Sequence, residues 1–140
     1  MRVLLLIGLL VSQQIAGQEA VDLPAGVEHV VSGGYWETAE LSGRYRIVVL
    51  NAGFEHVTPR VYVQWISDPT RTHDMEVMAN VLVSELHPST VSVGLPEPIY
   101  SDDGFFMRFE STNPWTLENE TLVLRLGLPG EYEVAEPQVR

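Results

Sequence analysis

The sequence predicts an all-β protein: an antiparallel β-sandwich, immunoglobulin-like or related, of about eight strands, after an N-terminal signal peptide. Short runs of alternating apolar and polar residues recur along the chain, separated by Gly, Pro, Asn and Asp clusters. Hydrophobic residues make up 45% and charged residues 19%, a globular balance. The 140 residues are enough for one domain.

The first residues are typical of a secretory signal peptide over residues 1–17. Arg2 precedes an apolar run at 3–11 that only Gly8 interrupts. This run is too short to cross a bilayer, which takes about 20 residues. We expect cleavage after Gly17, a loose tail at 18–24, one domain at 25–135 and a second tail at 136–140.

The first predicted strands, 27–31 and 35–40, flank Gly33-Gly34. A hairpin follows over 44–66, with a turn at 51–53 in which Gly53 can take a positive φ. Residues at every second position of its arms are expected to face one side: Tyr45, Ile47, Val49, Val61, Val63 and Trp65. The later predicted strands lie at 90–93, 105–110, 122–126 and 132–134, and Asp102-Asp103-Gly104 marks a turn.

Residues 74–86, DMEVMANVLVSEL, fit two structures. As a helix, Met75, Met78, Leu82 and other apolar residues would form one stripe. As a strand, every second residue from Met75 to Val83 would share a face. The three valines and the β-rich surroundings favour the strand.

The same segment begins with a candidate metal site, because HDMEVM places His73, Met75 and Met78 within six residues. Imidazole and thioether groups suit Cu(I). In a strand, only His73 and Met75 face the same side, so a further ligand such as Met107 would be needed. Core packing of the methionines and a loop position for His73 is the simpler interpretation.

Aromatic residues support a different hypothesis, a non-catalytic binding module. Exposed Trp and Tyr rings can stack on sugars or anchor a protein partner. Trp36 and its neighbour Tyr35 should face opposite ways in a strand, so one of them can be core. The candidate ligand-binding residues are Trp36, Tyr100, Trp115 and His56, which stands near the hairpin turn.

Charge and composition narrow the remaining functions. The net charge of −11 makes nucleic acid a poor partner. The absence of cysteine excludes disulfides and thiolate chemistry, and in an exported domain it favours a bacterial periplasmic or secreted protein. Neither a G-x-S-x-G nor an H-E-x-x-H motif occurs, so an enzyme is not favoured. We expect no cofactor, no embedding in a membrane after signal cleavage, and a protein or glycan partner; a periplasmic copper protein is the alternative.

Overall fold

The computed structural model describes residues 23–53, 58–86, 92–113 and 115–136. The predicted signal peptide and most of both predicted tails lie outside the described residues. The described residues contain nine strands and no helix. The strands are β1 (Val27–Glu37), β2 (Ser42–Ala52), β3 (Thr58–Ser67), β4 (Val77–Leu82), β5 (Ser92–Val93), β6 (Glu97–Ser101), β7 (Gly104–Thr112), β8 (Asn119–Leu126) and β9 (Tyr132–Ala135).

The strands form two antiparallel sheets, so the predicted all-β antiparallel class is confirmed. Sheet A has the order β1-β2-β3-β4. Sheet B has the order β5-β7-β8-β9. Strand β6 also pairs with β7: β6 pairs with residues 104–108 of β7, and β5 pairs with residues 111–112. Each sheet is thus a meander of consecutive strands. This order differs from that of immunoglobulin domains, which divide successive strands between their sheets.

One apolar core lies between the two sheets. Alternation in the predicted hairpin is confirmed, because all six side chains expected to share a face are 0–3% exposed. The core side chains from sheet B are Val93, Phe105, Met107, Phe109, Leu124 and Leu126. Hydrogen bonds also join the sheets, since Trp65 Nε1 donates to the carbonyl of Gly127 at 3.0 Å.

The segment 74–86 is extended, as its valines indicated. Strand β4 occupies Val77–Leu82, and Ala79 and Val81 pack against the core. A bulge at the start of β4 shifts its register against β3 between Trp65 and Ile66. The predicted inward face therefore begins only at Ala79, and Val77 remains 50% exposed.

The prediction of two strands around Gly33-Gly34 was wrong, because β1 runs through both glycines without a turn. They form a β-bulge instead, for which a glycine pair is equally suited. By contrast, the predicted turn at Asp102-Asp103-Gly104 and the predicted positive φ of Gly53 are confirmed: Gly53 and Gly104 have φ of 128° and 135°. Asn51 and Ala52 were predicted as turn residues but belong to β2, and residues 54–57 lie outside the described ranges.

Candidate ligand-binding cleft

The bulge in β1 decides which of two adjacent aromatic rings reaches the surface. The pairing of β1 with β2 shifts by one residue between Gly33 and Trp36, and Gly34 there has a φ of 67°. The extra residue reverses the alternation of side chains. As a result Trp36 is 3% exposed, inside the core, while Tyr35 is 58% exposed.

A tight hairpin presents a second tyrosine opposite the bulge. Strands β6 and β7 are joined at Ser101 and Gly104, and Tyr100 pairs with Phe105 across the hairpin. Tyr100 is 70% exposed, yet its ring lies 5.2 Å from that of Phe105, between centroids. A Cβ added to Gly33 would lie 2.9 Å from the Tyr100 hydroxyl, so the missing side chain makes room for this ring.

The surface tyrosine is the outer end of a chain of aromatic rings that enters the core. Phe105 stacks on Tyr45 with 5.2 Å between centroids and an interplanar angle of 1°. Tyr45 meets Trp65 edge to face at 6.1 Å. Such contacts each add about 0.5–1.5 kcal/mol beyond area burial. The ring of Tyr100 therefore rests on aromatic side chains that are packed into the core.

Between the edges of the two sheets, β1 and β6, the side chains line an open cleft of about 530 Å³. This volume lies within the usual range of small-molecule sites. The lining comes from four strands and the loop after β3: Ser32, Gly33, Gly34, Tyr35, Arg44, Asp68, Tyr100, Ser101, Gly104 and Phe105.

An ion pair supplies the charged groups of the cleft. Arg44 Nη2 lies 3.5 Å from Asp68 Oδ1, and the backbone N–H of Asp68 donates to the Ser42 carbonyl at 2.8 Å. The Arg44 side chain is 63% exposed, so the pair contributes only about 0–1 kcal/mol. A ligand hydroxyl can therefore replace either partner at little cost. The cleft combines two exposed rings with a donor and an acceptor that a ligand can recruit.

The other predicted ligand-binding residues lie elsewhere. Trp36 is in the core, where its Nε1 donates to the Arg44 carbonyl at 3.2 Å. Trp115 is 83% exposed in the turn between β7 and β8. Its backbone N–H donates to Asn113 Oδ1 at 3.0 Å. The cleft lies at the opposite end of β7 from Trp115. The length of β7 separates the two, about 27 Å at 3.4 Å per residue. His56 lies outside the described residues.

The predicted copper ligands lie in the loop before β4. His73 Nε2 is 3.6 Å from Glu76 Oε2, and Met75 is 62% exposed. Met107, the suggested further ligand, is fully buried in the core. No group of three metal-binding His, Asp or Glu side chains occurs within the described ranges. The copper hypothesis stays a prediction.

A broader hollow of about 1220 Å³ covers the outer face of sheet B, with Phe106, Arg108 and Val123 in its lining. Arg108 forms an ion pair with Glu97, and its Nε lies 3.6 Å from Glu110 Oε1. Glu97 is the partner of Arg108 across the β6–β7 pair, and Glu110 lies two residues further along β7. Arg108 Nε is nevertheless buried without a hydrogen-bond partner among the described residues. Tyr100 is the one strongly exposed aromatic side chain in the described part of this lining, so the hollow is the weaker candidate for a stacking site.

Neither protein-family models nor curated proteins nor solved structures gave a match to this chain. Within the described residues, no helix has the length and apolar character to span a membrane.

Sequence reasoning found Tyr100 but missed three of the partners that the fold brings to it. Tyr35 was recognised only as an alternative to Trp36. Arg44 and Asp68 were not among the predicted site residues. The Gly33-Gly34 pair was the available signal, because adjacent glycines inside a strand indicate a bulge or a close approach of another chain segment.

Proposed function

We propose that this protein is a non-catalytic binding module that takes a neutral saccharide into the cleft between β1 and β6. The observation that carries the proposal is the pair of exposed rings, Tyr35 and Tyr100, beside the Arg44–Asp68 ion pair. Aromatic faces accept the C–H faces of a pyranose ring, and planar charged groups bind neighbouring hydroxyls in pairs. A protein partner usually needs a larger surface, about 800 Å² on each side.

The expected affinity is low. Two stacking contacts contribute about 1 kcal/mol each, and three or four hydrogen bonds about 1 kcal/mol each. Their sum, about 5–6 kcal/mol, corresponds to a dissociation constant on the order of 0.04–0.2 mM. Such an affinity is useful when several sites act together on a polymer.

The test is saturation-transfer NMR and calorimetry with a panel of neutral mono- and disaccharides. We expect the sugar C–H protons to receive magnetisation from the protein. Tyr100→Ala should weaken binding about five- to tenfold, the equivalent of one lost stacking contact. Tyr100→Phe keeps the ring and should bind nearly as the wild type does.

The matched control is Trp115→Ala, which removes an exposed ring at the far end of β7. It should fold cooperatively and retain saccharide binding. Loss of binding in Trp115→Ala but not in Tyr100→Ala would place the binding site at the β7–β8 turn and contradict the proposal. Absence of binding to every saccharide in the panel would contradict the proposal that the ligand is a saccharide.

We also propose that the two sheets form a β-sandwich related to the immunoglobulin class, with meanders in place of the interleaved strand order. The shared core and the Trp65–Gly127 hydrogen bond support this class. The signal-like residues 1–17 and the absence of cysteine support an exported, bacterial protein, periplasmic or secreted.

A further inference from the structure

Strand β4 differs from the other sheet edges in lacking charged residues and proline. Natural edge strands are protected by charges, prolines, short length or bulges, because an exposed edge can pair with another strand. The edge β1 carries Glu28 and the glycine bulge. The edge formed by β5 and β6 is broken by Pro96 and carries Pro98. The edge β9 has four residues, with Glu133 among them.

By contrast, the six residues of β4 read VMANVL. Its bulge lies at Val77 and Met78, which leaves Ala79 to Leu82 in regular pairing with β3. Within the described part of the chain, β4 pairs on one side only. Met78 and Leu82 are 39% and 46% exposed. This edge is therefore apolar and regular over its second half, and it is open.

The direction of its hydrogen bonds shows which groups are free. The N–H of Val83 donates to the carbonyl of Val61 at 2.8 Å, so residue 83 faces β3. Backbone groups alternate in an antiparallel pair, so Val81 and Ala79 also face β3. The N–H and C=O groups of Asn80 and Leu82 consequently face the open edge.

We propose that β4 pairs antiparallel with β4 of a second copy of this chain, about a two-fold axis at Asn80. This register places Asn80 opposite Asn80 of the second copy, and each Leu82 opposite a Met78. The free backbone groups then bond to each other, and the two four-stranded sheets A become one sheet of eight strands. Opposed residues share a face, as antiparallel pairing requires.

The register is self-complementary, because apolar residues of β4 lie on both sides of Asn80 and meet their counterparts across the two-fold axis, which favours a second copy as the occupant. An apolar row crosses the outer face of sheet A through Val30, Val48, Tyr62 and Leu82, in register. Pairing at β4 would extend this row into the second copy through Met78. Each chain also carries a net charge of −11, so two copies repel each other over most surfaces. The uncharged β4 is the edge where they can meet at least electrostatic cost.

The test is sedimentation equilibrium of the full chain over concentrations up to the millimolar range. We expect the mass to rise to that of a dimer, because edge pairing buries less than a standard interface and is weak. Leu82→Lys should remain monomeric. Val30→Lys is the matched control: it stands at the other end of the same row, is similarly exposed at 49%, and should dimerise as the wild type does.

Hydrogen exchange gives a readout that does not depend on the variants. The amides of Asn80 and Leu82 should become protected as concentration rises, while those of Ala79 and Val81 are protected throughout. A wild-type chain that stays monomeric at every concentration would overturn the proposal. So would a dimer that Val30→Lys disrupts and Leu82→Lys does not. Concentration-independent protection of Asn80 and Leu82 would assign the edge to another segment of the same chain and would also overturn it.

Discussion

At the scale of single residues, Gly34 is the position on which the cleft depends most. A Cβ at this position would lie 2.5 Å from Phe105 Cγ and 2.7 Å from Tyr45 Cδ2, and its φ of 67° is left-handed. Gly34→Ala should therefore lower the free energy of unfolding by about 2–5 kcal/mol, from backbone strain and overpacking together. Urea denaturation measures this loss.

Gly94→Ala is the matched control for Gly34→Ala, because a Cβ there would meet only the Glu110 carbonyl oxygen at an ordinary 3.6 Å. It should change stability by less than about 1 kcal/mol. Gly34→Asn adds a further distinction, since Asn tolerates left-handed backbone but still brings a Cβ. Full stability in Gly34→Asn would show that the crowding against Phe105 and Tyr45 is unimportant.

Tyr45 makes stability depend on pH in the alkaline range. Its hydroxyl donates to the carbonyls of Leu126 and Gly127, at 3.3 and 3.0 Å, and burial raises its pKa above the ordinary value of about 10. The folded state therefore holds this proton longer than the unfolded state does. Its contribution to stability is complete below about pH 10 and is lost as pH rises further through the folded-state pKa.

We expect Tyr45→Phe to be about 1 kcal/mol less stable near neutral pH and to lose less stability than the wild type above about pH 10. Urea titrations at a series of alkaline pH values measure both effects. The comparison variant is Tyr132→Phe, because burial first, and then the hydrogen bond to Glu85, also raise the pKa of Tyr132. An unchanged alkaline slope in Tyr45→Phe would assign the pH dependence to other groups.

The residue scale also shows what the sequence could predict. Side-chain alternation identified the core positions of β2 and β3, because a period of two follows from strand geometry alone. It could not decide between Tyr35 and Trp36. That choice depends on one inserted residue at a bulge, and the bulge is stabilised by the packing of Phe105 and Tyr45, which come from distant parts of the chain.

At the scale of elements, the loop before β4 tests the copper alternative. His73 lies beside Glu76, Met75 is 62% exposed, and Met107 is buried in the core, away from this loop. We expect native mass spectrometry with Cu(I), Cu(II), Zn and Ca to show no stoichiometric adduct. A copper adduct that is lost in Met75→Leu would instead establish HDMEVM as a metal site.

Strand pairing was predictable for individual elements, while their division between sheets was not. Asn51-Ala52-Gly53 and Asp102-Asp103-Gly104 both indicated hairpins, because turn residues act locally. The cleft forms where the β1 and β6 edges approach each other. The glycine pair in β1 indicates a close approach of another segment, but it does not identify that segment as β6. For this reason Arg44 and Asp68 were not predicted as site residues.

At the scale of the whole molecule, the export prediction concerns residues outside the described ranges. Protein recovered from its own export route should have the intact mass of a chain that begins after Gly17. Cleavage there removes Arg2, the single charged residue before position 18, and makes the net charge more negative. A mass that includes residues 1–17 would contradict the prediction of a cleaved signal.

The consecutive order of the strands has a consequence for how the chain folds during synthesis. All of sheet A precedes residue 83, so its strands can pair before β7 and β8 exist. The inner face with Ile47, Val63 and Trp65 then stays uncovered until about 40 further residues have been made, roughly 2–8 s at common elongation rates. During that interval the nascent chain is a half-molecule with an open apolar face, and it is most vulnerable to aggregation then.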